Sequence, residues 1–318
     1  MTKKLLPVAL LSLSSLILCL AADAQIEGPV PTQALVNVDA KSTPPASASV
    51  LTVSVNDHKE PLSSFTPVLP GKAQVALLID DGLRESVGRE IDNLRHFVTT
   101  LPPGVEILIG YMRYGSVVAE QSFTTDHASA ASAIHLPNGI AGMSASPYLC
   151  LSDFVKKWPA SGSSSVNDLD ASSVHKARFV LMLSNGVDPY NGSTSVMNQD
   201  SPYVAAAIKD AQRAGVVVYS IYFGDAGMGG GSVNFSGQGY LSELTQGTGG
   251  TNYYEGTGNP VSMAPFLHMF QGAIAETYVA TFNAPASRNP ERDLVRVKFS
   301  APNTKLHAPE EVRVGNQE

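Results

Sequence analysis

Two consecutive carboxylates, Asp80 and Asp81, close the apolar run Val75-Ala76-Leu77-Leu78-Ile79 and are followed by Gly82 and Arg84. Carboxylates at a strand end can ligate a hard cation, act as an acid–base pair or contact a partner. They can equally accept backbone N–H bonds and cap the next helix. Arg84 reads either as a guanidinium paired with Asp80 or as a solvated first-turn side chain. Ser144 and Ser146 precede a helix that starts at Pro147, while Asn185, Asp188 and Asp225 each follow an apolar run. They suit partner contacts, and they are also good turn formers.

Catalytic and nucleotide signatures are missing from the sequence. The seven His are scattered, with no H-E-x-x-H, no G-x-S-x-G and no zinc-spaced His/Cys cluster. The glycine-rich stretch 224–231 has no Lys-Ser/Thr after it and does not read as a phosphate loop. Cys150 lies beside the apolar face of its helix and reads as a buried small hydrophobe. A non-enzyme is expected.

The elements that position these residues alternate. Strands are expected at 75–79, 179–183 and 216–222, each a continuous apolar run of the kind buried on both faces of a parallel sheet. Val87, Ile91, Leu94 and Val98 have helical spacing. Strands 105–112 and 116–123 form a hairpin through Arg113-Tyr114-Gly115. Ser146-Pro147 and Ser201-Pro202 start two further helices, and Gly215 ends the second. A short helix near 240–246, a strand at 251–255 and a helix at 262–277 complete the series. The pattern implies an α/β fold: a doubly wound, mostly parallel sheet with one antiparallel edge hairpin and helices on both faces. Strands at 278–282, 294–299 and 312–314 lack intervening helices. With residues 50–55 they are expected to form a small β-subdomain from both chain ends.

Export is expected from the first 24 residues. Lys3 and Lys4 precede an apolar stretch from Leu5 to Leu20, and Ala22-Asp23-Ala24 supplies small residues before a cleavage at Gln25. The protein is then periplasmic or extracellular, with no membrane span in the mature chain. Residues 25–49, rich in Pro, Ala, Ser and Thr, read as a flexible leader, and 50–73 as a strand and linker. Of 318 residues, 21 are Lys or Arg and 28 Asp or Glu. That acidic balance, with no basic run after the signal, argues against nucleic acid and anionic membrane surfaces. With Cys19 lost in the signal, Cys150 has no disulfide partner.

Five segments in order, LLIDDG (77–82), IGYMRYGSVVAEQSFTTD (109–126), FVLMLSNGVD (179–188), VVVYSIYFG (216–224) and YLSELTQGTGGTNYY (240–254), resemble the von Willebrand factor type A domain over about 74–280. The likeness is to its exported bacterial forms with a β-rich tail, here 281–318. The resemblance implies partner binding at the C-terminal edge of the sheet through Mg²⁺ or Ca²⁺ held by Asp-x-Ser-x-Ser, a Thr and a later Asp. This sequence departs from that set. Asp80 matches the first Asp, Gly82 and Arg84 replace the two Ser, Ser144 or Ser146 stands for the Thr, and Asn185 replaces the Asp. A degenerate metal site is therefore expected, with Asp80 and Ser144 or Ser146 as residual ligands. The leading expectation is a non-catalytic module recognising a protein or surface ligand through Asp80, Gly82, Arg84, Ser144, Ser146, Asn185 and Asp225. The other is a structural component of an exported assembly.

Overall fold

A computed structural model describes residues 28–39, 50–83, 85–140, 144–159, 176–188, 201–224, 231–256, 258–286 and 293–315. The expected signal peptide and the loop 160–175 lie outside these residues. In chain order the first strands are β1 (Val30–Asp39), β2 (Thr52–Val55), β3 (His58–Glu60) and β4 (Leu62–Pro67). Residues 30–39 are thus not the flexible leader expected from their composition. Nor is 56–73 merely a connection, since it holds β3, β4 and a 3₁₀ turn at Pro70–Lys72.

The central unit then follows. It comprises β5 (Ala73–Asp80), α1 (Ile91–Thr99), β6 (Glu106–Arg113), β7 (Ser116–Thr124), α2 (His127–Ser132) and α3 (Pro147–Lys156). It continues with β8 (Ala177–Ser184), α4 (Pro202–Arg213), β9 (Val216–Tyr222), α5 (Gly231–Thr248), β10 (Asn252–Tyr253) and α6 (Ala264–Ala275). The helix α5 is longer than the short one expected at 240–246. The six strands form one mixed sheet in the order β10-β9-β8-β5-β6-β7. All pairs are parallel except the edge hairpin β6–β7.

Every residue of β5 is buried, which explains the run without polar alternation. Alternate residues serve the two faces. Val75, Leu77 and Ile79 join Leu94, Phe97 and Phe270 in a core beneath α1, α2 and α6. Ala76 and Leu78 join Leu151, Val204 and Leu244 beneath α3, α4 and α5. Leu77→Ala in such a packed position costs about 2–5 kcal/mol.

The chain ends in β11 (Thr277–Ala284), β12 (Leu294–Ser300), β13 (Lys305–His307) and β14 (Glu311–Arg313). These join the first four strands in two four-stranded sheets, β13-β1-β11-β4 and β14-β12-β2-β3. Val53, Val55, Phe282, Val295 and Val297 form the core between them. The expected pairing of 50–55 with the tail is present, Val55 opposite Val297. The largest part of the subdomain, the pairing of β1 with β11 from Val30↔Ala284 to Asn37↔Thr277, was not anticipated. One face of β1 contributes Ala34 to the sandwich, and the other contributes Leu35 to the α/β core. Asn37 donates to the Ala273 carbonyl of α6 at 2.8 Å.

Candidate functional site

Open α/β sheets place their ligand crevice where the strand order reverses, outside the carboxyl ends of the strands. Here the chain leaves β5 for β6 on one side and returns to β8 on the other. The crevice therefore falls between the ends of β5 and β8, which are Asp80 and Ser184.

Asp80 is 3% exposed. Its Oδ1 accepts the Gly82 N–H at 2.9 Å, and its Oδ2 accepts the Ser184 hydroxyl at 2.9 Å. Ser144 adds a further side-chain hydrogen bond. Burial raises the Asp80 carboxyl above its ordinary value, opposed by the bonds from Gly82, Ser184 and Ser144 and reinforced by the nearby Asp81 charge. Ser184 in turn accepts the Gly186 N–H at 3.0 Å. Gly186 has φ +66, and a side chain there would collide with the backbone of Gly237 on α5. The turn after β8 is thus pressed onto a helix, and glycine is required.

Asp81 turns to the opposite side. Parallel pairing sets Asp80 opposite Met112, so Asp81 emerges beside Arg113. Arg113 Nε lies 2.9 Å from Asp81 Oδ2, an ion pair whose N–H points off the line to the oxygen. Asp81 Oδ1 accepts the Asn138 N–H at 2.9 Å, and its carbonyl accepts the Gly139 N–H at 3.1 Å. The guanidinium also stands 5.6 Å over the Tyr111 ring and 3.8 Å from Glu120.

Of the residues singled out in the sequence, Asp80, Gly82 and Ser144 meet in one cluster. Ser146 does not join it: its hydroxyl caps α3, accepting the Leu149 N–H at 3.5 Å. Asn185 is committed to its own turn, Oδ1 accepting the Val187 N–H at 3.0 Å. Asp188 accepts the Ser201 hydroxyl at 2.7 Å, so Ser201 does not cap its helix with that group. Arg84 and Asp225 lie outside the described residues. Cys150 is buried, as expected, and burial pushes its thiol up to about 12. Ser184 and the Asp81–Arg113 pair were not anticipated as parts of the site. The signal for the pair was present: two neighbouring parallel strands end in Asp-Asp and in Arg.

The loops at this edge are anchored and carry exposed apolar side chains. Gly115 donates to the Ser144 carbonyl at 2.9 Å and so docks the β6–β7 turn. Tyr114 at that turn is 76% exposed, and Ile140, on the loop held by Asp81, is 74% exposed. Beyond β10, Tyr254 is 52% and Val261 90% exposed. No local pattern in the sequence marks these four positions.

No protein-family model and no curated protein sequence matches the chain. Solved structures with similar architecture include a von Willebrand factor type A protein from Catenulispora acidiphila. It is 10% identical, over 91% of this chain and 74% of that one, with a TM-score of 0.39. The ArnB paralog VWA2 from Sulfolobus acidocaldarius is 10% identical over 89% and 76%, TM-score 0.38. The pilus adhesin SpaC from Lactobacillus rhamnosus GG is 8% identical over 83% of this chain and 43% of its own, TM-score 0.41. From β5 to α6, the element order is the one that the five sequence segments implied. That α/β element order resembles the von Willebrand factor type A fold.

A von Willebrand factor type A site implies a divalent cation, and the residues here do not fit one that also reaches a partner. Hard cations take six or more oxygens and favour carboxylates. Among the described residues, Asp80 is the one carboxylate of this cluster, and both its oxygens already accept protein donors. Ser184 is engaged as donor and as acceptor, and Asp80, Ser144 and Ser184 are all buried. Asp81 is held by Arg113. Among the described residues, no three His, Cys, Asp or Glu converge as metal ligands. No helix among them is long and apolar enough to cross a membrane.

Proposed function

We propose that this protein is an exported, non-catalytic binding module that recognises a protein at the C-terminal edge of its central sheet, with no cation bridging the contact. The observation that carries this reading is the composition of that edge. Two of its charged groups, Asp80 and Asp81, are buried and engaged within the protein, while Tyr114, Ile140, Tyr254 and Val261 project from loops of the same edge. Exposed aromatic and aliphatic side chains on preformed loops favour association, because little ordering entropy is lost on binding. The buried polar network fixes the loops, and the apolar tips make the contact.

The alternative is a structural part of an exported assembly, in which this edge contacts nothing and the sandwich supplies the packing surface. Exposed Val50, beside β2, would lie on such a surface. Photo-crosslinking in the producing cells separates the two. A crosslinker at position 114 or 140 is expected to give one discrete protein adduct, resistant to EDTA and abolished by Tyr254→Asp. Adducts only from position 50, unaffected by Tyr254→Asp, would overturn the proposal and favour the structural role.

A further inference from the structure

The chain between α2 and α3 contains Asn138 followed directly by Gly139. An Asn-Gly pair carries its own reaction. The glycine nitrogen can attack the asparagine side-chain carbonyl carbon, because no Cβ on the second residue crowds the approach. Attack requires that the glycine N–H give up its proton. Here that N–H is engaged: it donates to the Asp81 carbonyl at 3.1 Å. The Asn138 N–H donates to Asp81 Oδ1 at 2.9 Å, so one residue grips the amides on both sides of the reactive junction. Arg113 Nε, 2.9 Å from Asp81 Oδ2, holds that grip in place. Upstream, the Tyr111 hydroxyl accepts the His135 N–H at 2.9 Å and donates to the His135 carbonyl at 2.5 Å. Asp81 is buried while Asn138 is exposed, so the junction is wet and only the grip restrains it.

We infer that Asn138 is a self-modification site, which Asp81 keeps inactive and whose conversion releases the loop for good. When the loop opens, the Gly139 nitrogen bonds to Asn138 Cγ and closes a succinimide ring. The side-chain nitrogen leaves as ammonia, carrying the proton lost by the Gly139 N–H. Water then opens the ring at either carbonyl and leaves aspartate or its β-linked isomer. The isomer inserts a methylene between the two amides, which then no longer match the two Asp81 acceptors. Either product sets a new carboxylate next to that of Asp81, and like charges repel. Regripping is opposed in both cases. Any effect on the contact made by Ile140 rests on the binding role proposed above. The conversion itself does not, and mass analysis reads it without a partner, so the two readings fail separately.

The test follows Asn138 in the full-length protein in mildly alkaline buffer, by peptide mapping that separates it from the other Asn-Gly pair at 191–192. Conversion in the native protein is expected to be at least about tenfold slower than in the guanidinium-unfolded chain, since it needs local opening. Arg113→Ala loosens the grip and should raise the native rate at least about fivefold. Leu244→Ala lowers stability from the far face of the sheet and should leave the rate close to that of the parent. Protein converted by long incubation and separated by its added charge should exchange the Gly139 amide faster than the parent. Equal rates in native and unfolded protein would overturn the inference. So would equal acceleration by Leu244→Ala and Arg113→Ala, or unchanged Gly139 exchange after conversion. The first and last comparisons need no substitution, so they hold even if Arg113→Ala does not fold.

Discussion

Asp80 and Asp81 are covalent neighbours, yet the surroundings on the two faces of the sheet differ in kind. On the α1–α2 side, the Asp81 carboxylate meets a guanidinium at 2.9 Å and the Asn138 N–H, while its backbone carbonyl accepts the Gly139 N–H. On the α3 side, Asp80 meets one backbone N–H and the hydroxyls of Ser184 and Ser144, and its carboxyl is raised by burial. One carboxylate is held by an opposite charge and the other by neutral donors alone. A charged carboxylate with only neutral donors is costly to bury, and such costs persist where a site has a use beyond stability. The first arrangement anchors a loop. The second sits at the point where the strand order reverses.

The largest effect that would break this contrast is Arg113→Ala. It leaves Asp81 buried without its counter-charge and should cost about 3 kcal/mol in urea unfolding. Adding Asp81→Asn should recover most of that loss, because the remaining group is neutral. If Arg113→Ala alone is nearly neutral, the ion pair does not hold the loop. Asp80→Ala comes next. It removes the acceptor for Gly82, Ser184 and Ser144, with an expected loss of about 2 kcal/mol by the same assay.

Asp80→Asn sharpens the contrast through pH. The folded-state Asp80 carboxyl titrates above the ordinary aspartate value of about 3.9. The native state therefore holds the proton more tightly than the unfolded chain. Stability falls as pH rises from that value through the raised one, and the cost persists at neutral pH. Asn has no proton to lose, so melts of Asp80→Asn between acidic and neutral pH should show a flatter decline than the parent. Equal slopes would mean Asp80 does not contribute. Smallest of all, Tyr114→Ser and Ile140→Ser should leave unfolding within about 0.5 kcal/mol of the parent. A larger loss would show that these tips pack within the fold, and would remove them as free contact groups.

Where the sequence is strongly periodic or punctuated, the fold was legible. The apolar runs of β5, β8 and β9 and the caps at Ser146-Pro147 and Gly215 each fell where expected. β1 was not legible because its composition mimics a linker. Pro31, Thr32 and Gln33 precede the buried stretch from Ala34 to Val38, and only a partner some 250 residues away in the chain makes that stretch a strand. The site was legible in part. A strand-end Asp marks the crevice, but its partners Ser144 and Ser184 come from other elements, and spacing along the chain carries no trace of that meeting. Asn185 and Ser146 looked like ligands because turn and cap residues share their side-chain chemistry.

The pairing of Val30 with Ala284 also sets an order of events. The chain is made from its N-terminal end, so β1 exists long before β11 can meet it. The whole α/β unit lies between them, and its local βαβ contacts close shorter loops at lower entropic cost. That unit can assemble first, while β1 waits as an unpaired strand that offers its backbone to any passing chain. Delay in finishing synthesis should therefore expose the amino-terminal strand before any other part, and aggregates of partly made chains should be held together through it.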